Sequence, residues 1–325
     1  MKRLAAIAAT CAALMGTTAI AQDAPMNIVF THHSSASNPF WQAVKRGFDD
    51  GCERIGANCQ MIFTQTEGAI DQQAANMITA LAASPDALIT SIVDDTAFDQ
   101  IIQQAVDQGV IVIAANTDDT EGAEGNARAA FIGQGLTPAG YSLGTKMTEF
   151  FPEEGPIKVV IGISAPGQNW SEQRGLGVRQ AIEDYAAANP DREVEIVRLD
   201  TGTDGAQVAE RVGAYLNSNP DTTAYFDTGL WHAYVAQVLI DRGVEPGTVL
   251  MGGFDIVSEV LQQMETGYIQ VQVDQQPYMQ GFMSVMQAYL AHNFNLAPSD
   301  IDTGQGLVLA EDVPALKDLA AQGVR

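Results

Sequence analysis

Side chains suited to binding hydroxyl groups are concentrated in one kind of position along this chain. Amides, carboxylates, a serine and an arginine stand at the ends of predicted β-strands or just beyond them: Asn38, Ser91, Asn116, Gln134, Arg174, Asp227, Asp255 and Gln275. An amide or carboxylate can bond two neighbouring hydroxyls, and arginine offers a rigid fork of donors. Any one of these residues could instead cap a helix or form a turn. Together they favour a binding site for a small polar ligand.

Aromatic residues fall in the same segments. All three tryptophans of the chain, Trp41, Trp170 and Trp231, lie there, and Phe40 adjoins the first of them. The face of an aromatic ring packs against the apolar C–H face of a sugar while polar groups hold the sugar's edge. His33 is a further candidate to line the site, although a lone histidine more often has a structural role. This combination predicts a site for a sugar or a polyol.

Catalytic alternatives find little support in the sequence. The carboxylate pairs Asp94-Asp95 and Asp118-Asp119 are adjacent residues, whereas a glycosidase needs two carboxyls about 5–9 Å apart across the scissile bond. The chain has no G-x-S-x-G elbow and no G-x-x-x-x-G-K-[ST] phosphate loop. No spacing of metal-ligating residue types in the chain clearly indicates a metal site. We therefore predict a binding protein without catalytic residues, cofactor or metal.

The segments that must position these residues alternate between β-rich and helical runs. The first series has predicted strands at 27–31, 59–63, 87–92, 110–115 and 129–132 and helices at 39–55, 70–83 and 96–108. The second has strands at 157–163, 194–199, 223–226, 249–254 and 268–273 and helices at 138–150, 171–188, 206–217 and 232–242. Such alternation predicts an α/β protein with two Rossmann-like lobes and parallel sheets, which bind ligands beyond the carboxyl ends of their strands. A last helix, 278–292, is expected to cross back to the first lobe.

The first residues are typical of an export signal. Lys2 and Arg3 precede an apolar stretch, 4–15, and Ala19-Ile20-Ala21 reads as a small-residue cleavage site. The stretch is shorter than the roughly 20 residues that a membrane anchor needs. Cys11 raises a lipoprotein alternative, although the apolar run before it is short. We predict a cleaved signal peptide at 1–21.

The charge balance limits the possible partners. The chain has 40 acidic and 16 basic residues, for a net charge of −24, and no basic run after the signal. Binding to the nucleic-acid backbone requires clustered Lys and Arg. Nucleic acid is therefore excluded as a partner, and the acidity is that of a solvated surface.

Two cysteines remain after removal of the signal, Cys52 and Cys59. An oxidising compartment permits a disulfide between them, which would close a loop of about eight residues and contribute roughly 2–3 kcal/mol. Two separate buried thiols are the alternative. A structural zinc site would need two further ligands.

Four short runs resemble a known family. Ser37–Trp41 (SNPFW) is similar to the (N/D)PF(F/W) signature of periplasmic sugar-binding proteins of the ribose-binding type. Glu172–Gly175 (EQRG) resembles the R-x-R-G helix start of that family, and Gly253–Asp255 (GFD) resembles its G-F-D. Asp274–Pro277 (DQQP) resembles its Q-x-P crossover. The resemblance extends in consistent order from about residue 27 to 315.

The resemblance implies a periplasmic binding protein of type I, with the ligand in a cleft between two lobes joined by a three-segment hinge. The implied lobes are 26–134 plus 276–306 and 135–275 plus 307–325. It further implies a periplasmic protein, expected to be a monomer, that delivers a monosaccharide or polyol to the membrane permease of an ABC transporter. The same closed form could instead be presented to a chemoreceptor or histidine kinase, in a sensory role.

The residues carried over from the family motifs are Asn38, Phe40, Trp41, Arg174, Asp255 and Gln275. By the resemblance, the aromatic members stack on the ligand and the polar members bind its hydroxyls. This chain departs from the family at Asn116-Thr117, where many members carry Asp-Arg, and at Gly229, where a ligand-binding Asn is usual. Asp227 is a candidate to compensate. The departures widen the expected ligand from a plain sugar to a sugar or a related polyol.

Overall fold

The computed structural model describes residues 24–304 and 306–325, so the predicted signal peptide lies outside the described residues. The chain begins with five strands: β1 (Asn27–Ser35), β2 (Asn58–Thr64), β3 (Ala87–Thr90), β4 (Ile111–Asn116) and β5 (Ala130–Gly133). Three helices alternate with the first four of these strands: α1 (Pro39–Ile55), α2 (Ile70–Ala82) and α3 (Asp99–Asp107).

The second part of the chain repeats this pattern. Its strands are β6 (Ile157–Ile163), β7 (Val194–Asp200), β8 (Ala224–Asp227), β9 (Leu250–Phe254) and β10 (Val271–Asp274). Its helices are α4 (Leu136–Thr148), α5 (Asn169–Ala188), α6 (Gly205–Ser218), α7 (His232–Asp241) and α8 (Ser258–Glu265).

The last part of the chain returns to each lobe in turn. Helix α9 (Pro277–Phe294) packs on α1 and β4, and β11 (Ile301–Asp302) pairs with β5. Strand β12 (Gly306–Val308) then pairs with β10, and α10 (Val313–Ala321) packs on α8. The chain thus passes between the lobes after β5, after β10 and after β11.

The two sheets have equivalent strand orders. The first has the order β11-β5-β4-β3-β1-β2 and the second β12-β10-β9-β8-β6-β7. All pairs are parallel except that of β10 with β12. The central strands β3, β8 and β9 are buried along their whole length, as expected where helices cover both faces of a parallel sheet. The predicted fold class is confirmed. The residue boundaries of the lobes stay a prediction.

Each lobe contains a pair of helices whose backbones meet at glycines. In the first lobe, a Cβ added to Gly47 of α1 would lie 1.9 Å from the carbonyl oxygen of Tyr278 in α9. A Cβ added to Gly281 of α9 would lie 2.0 Å from the carbonyl oxygen of Val44. Only the missing side chains allow this approach, so the glycines fix the spacing of the two helices.

The second lobe repeats the arrangement with α4 and α5. A Cβ on Gly140 of α4 would lie 2.1 Å from the carbonyl oxygen of Arg174 in α5. A Cβ on Gly177 of α5 would lie 2.1 Å from the carbonyl oxygen of Thr137. In both lobes, therefore, the helix that the chain forms after crossing from the other lobe packs closely on the helix that follows the lobe's first strand. These pairs are α9 with α1 in the first lobe and α4 with α5 in the second.

Cys52 near the end of α1 is disulfide-bonded to Cys59 in β2, across a sequence separation of seven residues. Reduction of this bond is expected to lower the free energy of unfolding by about 2–3 kcal/mol, because the reduced chain regains the loop-closure entropy. Urea unfolding with and without reductant measures the effect. A Cys52→Ala/Cys59→Ala variant supplies the control, because its unfolding should not respond to reductant. Equal stability of the oxidised and reduced wild type would contradict the prediction.

No helix among the described residues combines the length and the apolar character needed to cross a bilayer.

Candidate ligand-binding site

A cavity lies between the two lobes, at the carboxyl ends of the strands, with about 380 Å³ of space when its opening to solvent is included. The first lobe contributes His33, Asn38, Phe40, Trp41, Glu67 and Asn116. The second contributes Trp170, Arg174, Gly229, Leu230, Trp231 and Asp255. Gln275, where the chain leaves β10, lies between them.

The start of α1 brings a polar and an aromatic group to the cavity. Asn38 caps the helix, because its side-chain oxygen accepts a hydrogen bond from the N–H of Phe40 at 3.1 Å. Pro39 occupies the first turn, where the missing N–H does no harm. The SNPFW run therefore encodes a helix start, and that start places Phe40 and Trp41 in the wall of the cavity.

Trp41 is held by other rings on several sides. His32 stacks on its face with 3.9 Å between ring centroids, and Phe40 meets it edge to face at 5.4 Å. Trp41 is consequently only 2% exposed. Its orientation is set by the protein before any ligand arrives.

Gly229 has a packing role. A Cβ at this position would lie 2.1 Å from the ring of Trp231. Trp231 in turn approaches Trp170, with 6.4 Å between ring centroids. The glycine therefore leaves room for the Trp231 ring, at a position where the family pattern has an asparagine.

Arg174 has one donor group left over. Its Nε donates to Gln134 Oε1 at 3.1 Å, and its Nη1 donates to the carbonyl oxygen of Thr228 at 3.0 Å. The guanidinium lies 4.2 Å above the ring of Phe254. Its Nη2 is buried and has no hydrogen-bond partner among the described residues. A buried donor of this kind is costly unless a partner arrives, so Nη2 is ready for a ligand oxygen.

The charge of Arg174 persists despite burial. Burial lowers the pKa of Arg174 to about 10, while Asp255 and Asp227 act in the opposite direction. Burial also raises the pKa of Asp255, against the effect of Arg174 and of a hydrogen bond from Gln275. At neutral pH the arginine is therefore a cation, and the nearby Asp255 and Asp227 favour its charged form.

Gln275 joins equivalent positions of the two lobes. Asn116 is the last residue of β4 and Asp255 follows β9, and both adopt left-handed backbone conformations, with φ of 72° and 75°. Asn116 Nδ2 donates to Gln275 Oε1 at 3.2 Å, and Gln275 Nε2 donates to Asp255 Oδ1. Gln280 and Thr303 both donate to the backbone carbonyl of Gln275. Gln275 is thus hydrogen-bonded to residues of both lobes and to residues that follow two of the three crossings between the lobes.

His33 is a neutral side chain in this site. Burial lowers its pKa to about 3, and the nearby Arg174 adds to this effect. The ring Nδ1 hydrogen-bonds to Ser91 Oγ at 2.9 Å, which leaves Nε2 as the ring nitrogen available to the cavity. The ring can therefore serve a neutral ligand as donor or acceptor.

A pH effect on stability follows from the lowered pKa of His33. The unfolded chain, with a histidine pKa of 6.5, takes up a proton well before the folded protein does. Protonation of this histidine therefore favours the unfolded chain. The free energy of unfolding keeps its full value above pH 6.5 and decreases as the pH falls towards 3, with a loss of about 2 kcal/mol at pH 5. Urea unfolding at pH 7.5 and pH 5 should show that much extra loss in the wild type relative to His33→Gln.

The matched control for this measurement is His292→Gln, on the exposed side of α9. It should keep the pH response of the wild type. If His33→Gln and the wild type lost equal stability between the two pH values, the assignment of a neutral buried His33 would be wrong.

Residues 28–294 match the model of the periplasmic binding protein domain. The chain belongs to this family. As a periplasmic binding protein it is 27% identical over 303 residues to a xylose/arabinose-binding protein of Sulfolobus acidocaldarius, which covers 88% of this chain and 71% of the relative.

Two solved structures share its fold. A periplasmic sugar-binding protein of an ABC sugar transporter from Legionella pneumophila has a TM-score of 0.79 and 25% identity, covering 86% of this chain and all of that chain. A carbohydrate transporter protein from Acidothermus cellulolyticus, solved in complex with myo-inositol, has a TM-score of 0.79 and 23% identity. That match covers 93% of this chain and all of the other.

The cleft of this periplasmic binding protein is closed. Gln168 Nε2 of the second lobe donates to the carbonyl oxygen of Gly68 in the first, at 3.1 Å. The backbone N–H of Asn169 donates to the carbonyl oxygen of Val93 at 2.9 Å, and its side chain donates to Asp95 at 2.6 Å. These bonds tie the start of α5 directly to the opposite lobe.

Nine of the predicted site residues line the cavity: His33, Asn38, Phe40, Trp41, Asn116, Trp170, Arg174, Asp255 and Gln275. Three others stand behind its wall. Ser91 hydrogen-bonds to His33, and Gln134 accepts from Arg174. Asp227 accepts from Ser164 Oγ and from the N–H of Gly229, each at 2.8 Å. These three residues orient groups that do face the cavity.

Glu67, Leu230 and Trp231 line the cavity without having been among the predicted contacts. Glu67 accepts a hydrogen bond from the N–H of Ser35 at 3.1 Å and approaches Asn38 Nδ2 at 3.4 Å. It follows β2, so the strand-end rule applied to that strand would have found it. Trp231 lies just beyond the predicted strand 223–226, near a strand end like the other two tryptophans, and Leu230 gives no signal of its own.

The adjacent carboxylates have structural partners. Asp94 accepts hydrogen bonds from the N–H groups of Thr96 and Ala97, both at 2.9 Å. Asp118 accepts from Arg128 Nε at 2.7 Å in an ion pair. Within 24–304 and 306–325, no group of His, Cys, Asp and Glu side chains is arranged to hold a metal ion.

Proposed function

We propose that this protein captures a monosaccharide or polyol in the cleft between its lobes and delivers it to the permease of an ABC transporter. The observation that carries the proposal is the buried Nη2 of Arg174, which has no hydrogen-bond partner among the described residues and belongs to a residue lining a cavity with three tryptophans in its wall. A ligand hydroxyl satisfies that donor, and the rings pack on the apolar face of the same molecule.

The proposed contacts are the nine predicted residues in the cavity wall, with Ser91, Gln134 and Asp227 as positioning residues. Pentoses and inositol are the first candidates, since one relative is named a xylose/arabinose-binding protein and another was solved with myo-inositol. Asn116 and Gln275 offer amide groups, which suit hydroxyls without requiring a charged ligand.

Lobe closure is part of the proposal. Ligand binding favours the closed form, because only there do both lobes contact the ligand. The proposed lobes are 26–134 plus 276–306 and 135–275 plus 307–325. The protein acts in the periplasm as a monomer, after removal of a signal peptide at 1–21, and binds its ligand without chemical change.

The test is a thermal-shift screen of protein refolded from denaturant, which removes co-purified ligand. D-xylose, L-arabinose, D-glucose, D-galactose and myo-inositol form the first panel, and amino acids and peptides form the comparison panel. At least one sugar or polyol should raise the Tm in a concentration-dependent manner. Stabilisation by amino acids or peptides with none by sugars or polyols would overturn the proposal.

Two substitutions test the placement of the site. Trp41→Ala and Asp255→Ala should each weaken binding of the identified ligand by at least about tenfold, the scale of losing one buried anchor. Titration calorimetry measures the affinity, and circular dichroism confirms that the unliganded fold is retained. Unchanged affinity in both variants would refute the site.

A further inference from the structure

A second pocket adjoins the ligand cavity at the mouth of the cleft. It lies between Pro39 and Glu67 of the first lobe and Trp231 and Tyr234 of the second, with Glu259 at its edge, and we call it the outer pocket. Its space, including the open mouth, is about 940 Å³, against about 380 Å³ for the inner cavity. Both values include space that is open to solvent, and on this common measure the outer pocket is the larger of the two.

The two spaces share part of their walls. Asn38 and Glu67 from the first lobe, and Leu230 and Trp231 from the second, line both of them. The boundary between the two spaces therefore runs where the lobes face each other. The inner cavity and the outer pocket are therefore adjacent along this seam.

The outer pocket offers aromatic surface. Trp231 lines it, and Tyr234 is 48% exposed although its ring is large and apolar. The Tyr234 ring lies against Gly205, where an added Cβ would be 2.7 Å from a ring carbon. One side of the ring is thus supported by backbone while the other side remains open, as in an aromatic platform for a sugar face.

The charges of the outer pocket have one sign. Glu67, Asp204 and Glu259 line it, and no Lys, Arg or His is among its described lining residues. Carboxylates accept hydrogen bonds from hydroxyl groups and repel anions. The pocket therefore suits a neutral hydroxylated group and disfavours a uronic acid or a phosphorylated sugar.

We propose that the outer pocket binds a second neutral sugar unit, so that the preferred ligand is a disaccharide or glycoside whose first unit fills the inner cavity. The proposal rests on the proposed function, since the first unit must bind as described above.

The experiment compares matched pairs by titration calorimetry: D-xylose with xylobiose, D-glucose with cellobiose and maltose, D-galactose with melibiose, and myo-inositol with galactinol. In at least one pair the two-unit ligand should bind about tenfold or more tightly than its single unit, the scale of one added aromatic anchor. Tyr234→Ala should remove this advantage and leave the affinity for the single unit unchanged.

Two further variants keep the test independent of any structural effect of Tyr234→Ala. Thr203→Trp fills the outer pocket from its edge and should exclude the two-unit ligand while the single unit still binds. Tyr141→Ala, which removes a tyrosine of similar exposure from α4, should leave both affinities unchanged.

The outcomes separate the two proposals. Binding of single units with no two-unit ligand bound more tightly would overturn the outer pocket and leave the proposed function intact. An advantage that survives both Tyr234→Ala and Thr203→Trp would also overturn it. Failure of every sugar and polyol to bind would overturn the proposed function and the outer pocket with it.

Discussion

Replacing Arg174 with methionine should lower the affinity for the ligand by about a hundredfold. A hydrogen bond to a charged group contributes about 1.5–3 kcal/mol, and Nη2 is a buried donor with no partner in the part of the chain that the structure describes. The substitution also leaves Asp255 without the cation that opposes the rise in its pKa. Methionine keeps much of the volume, so the loss should come from the missing donor and charge.

Arg174→Lys makes the prediction sharper. Lysine keeps the charge but cannot reproduce the fork that bonds Gln134 and Thr228 while leaving a third nitrogen for the ligand. It should therefore recover only part of the affinity. Arg179→Met, a substitution of a partly exposed arginine on the same helix, is the control and should bind like the wild type. Titration calorimetry with the ligand found in the sugar screen measures all three, and a wild-type affinity for Arg174→Met would show that Nη2 does not contact the ligand.

Gly47→Ala should destabilise the protein by about 3 kcal/mol, although glycine-to-alanine changes within helices normally stabilise by up to about 1 kcal/mol. The added Cβ would lie 1.9 Å from a backbone oxygen of α9, and a backbone cannot rotate away as a side chain does. The helices must separate, and the contacts around Gly281 are lost with them. The free energy of unfolding in urea measures this effect.

The control is a helical glycine with softer neighbours. At Gly213 in α6 an added Cβ would meet side-chain atoms of Val238 and Arg242 at 3.1 and 3.3 Å. Gly213→Ala should change the stability by no more than about 1 kcal/mol. If Gly47→Ala were as stable as Gly213→Ala, the close approach of α1 and α9 would not be a determinant of stability.

The elements that sequence reasoning placed best carry their own boundary signals. Helix α1 was predicted at 39–55 and runs over those residues, because Asn38 and Pro39 start it and the left-handed Gly56 ends it. Strand β6 was likewise predicted at its observed bounds. Such local signals survive whatever the rest of the chain does.

The elements that were missed or misjudged lack such signals. Strands β11 and β12 have two and three residues, too few to show any periodicity. Helices α8 and α10 are short and were not predicted. Strand β1 was expected to end at Thr31 but continues through Ser35, because His32 and the serines are buried by tertiary contacts that no local pattern records.

The site shows the same division. A strand-end position predicts where a side chain lies to within a few residues, and this suffices for Asp255 and Asn116 at equivalent places in the two lobes. It does not predict the direction in which that side chain points. Ser91 and Asp227 therefore belong to the same class in the sequence as Asn116, yet they lie behind the cavity wall, where Ser91 bonds to His33 and Asp227 bonds to Ser164. Only the packing of the two lobes separates the groups that face the cavity from those that orient them.

The contacts of Gln275 bear on how long a ligand stays bound. Its amide spans Asn116 of one lobe and Asp255 of the other, so the opening that we propose cannot keep both hydrogen bonds. One of these two hydrogen bonds must be replaced by a hydrogen bond to water before the cleft can open and release the ligand. The dwell time of a bound molecule is then governed by a side chain at the axis of motion as well as by those that touch the ligand. Changes at Gln275 should accordingly alter dissociation rates more than association rates.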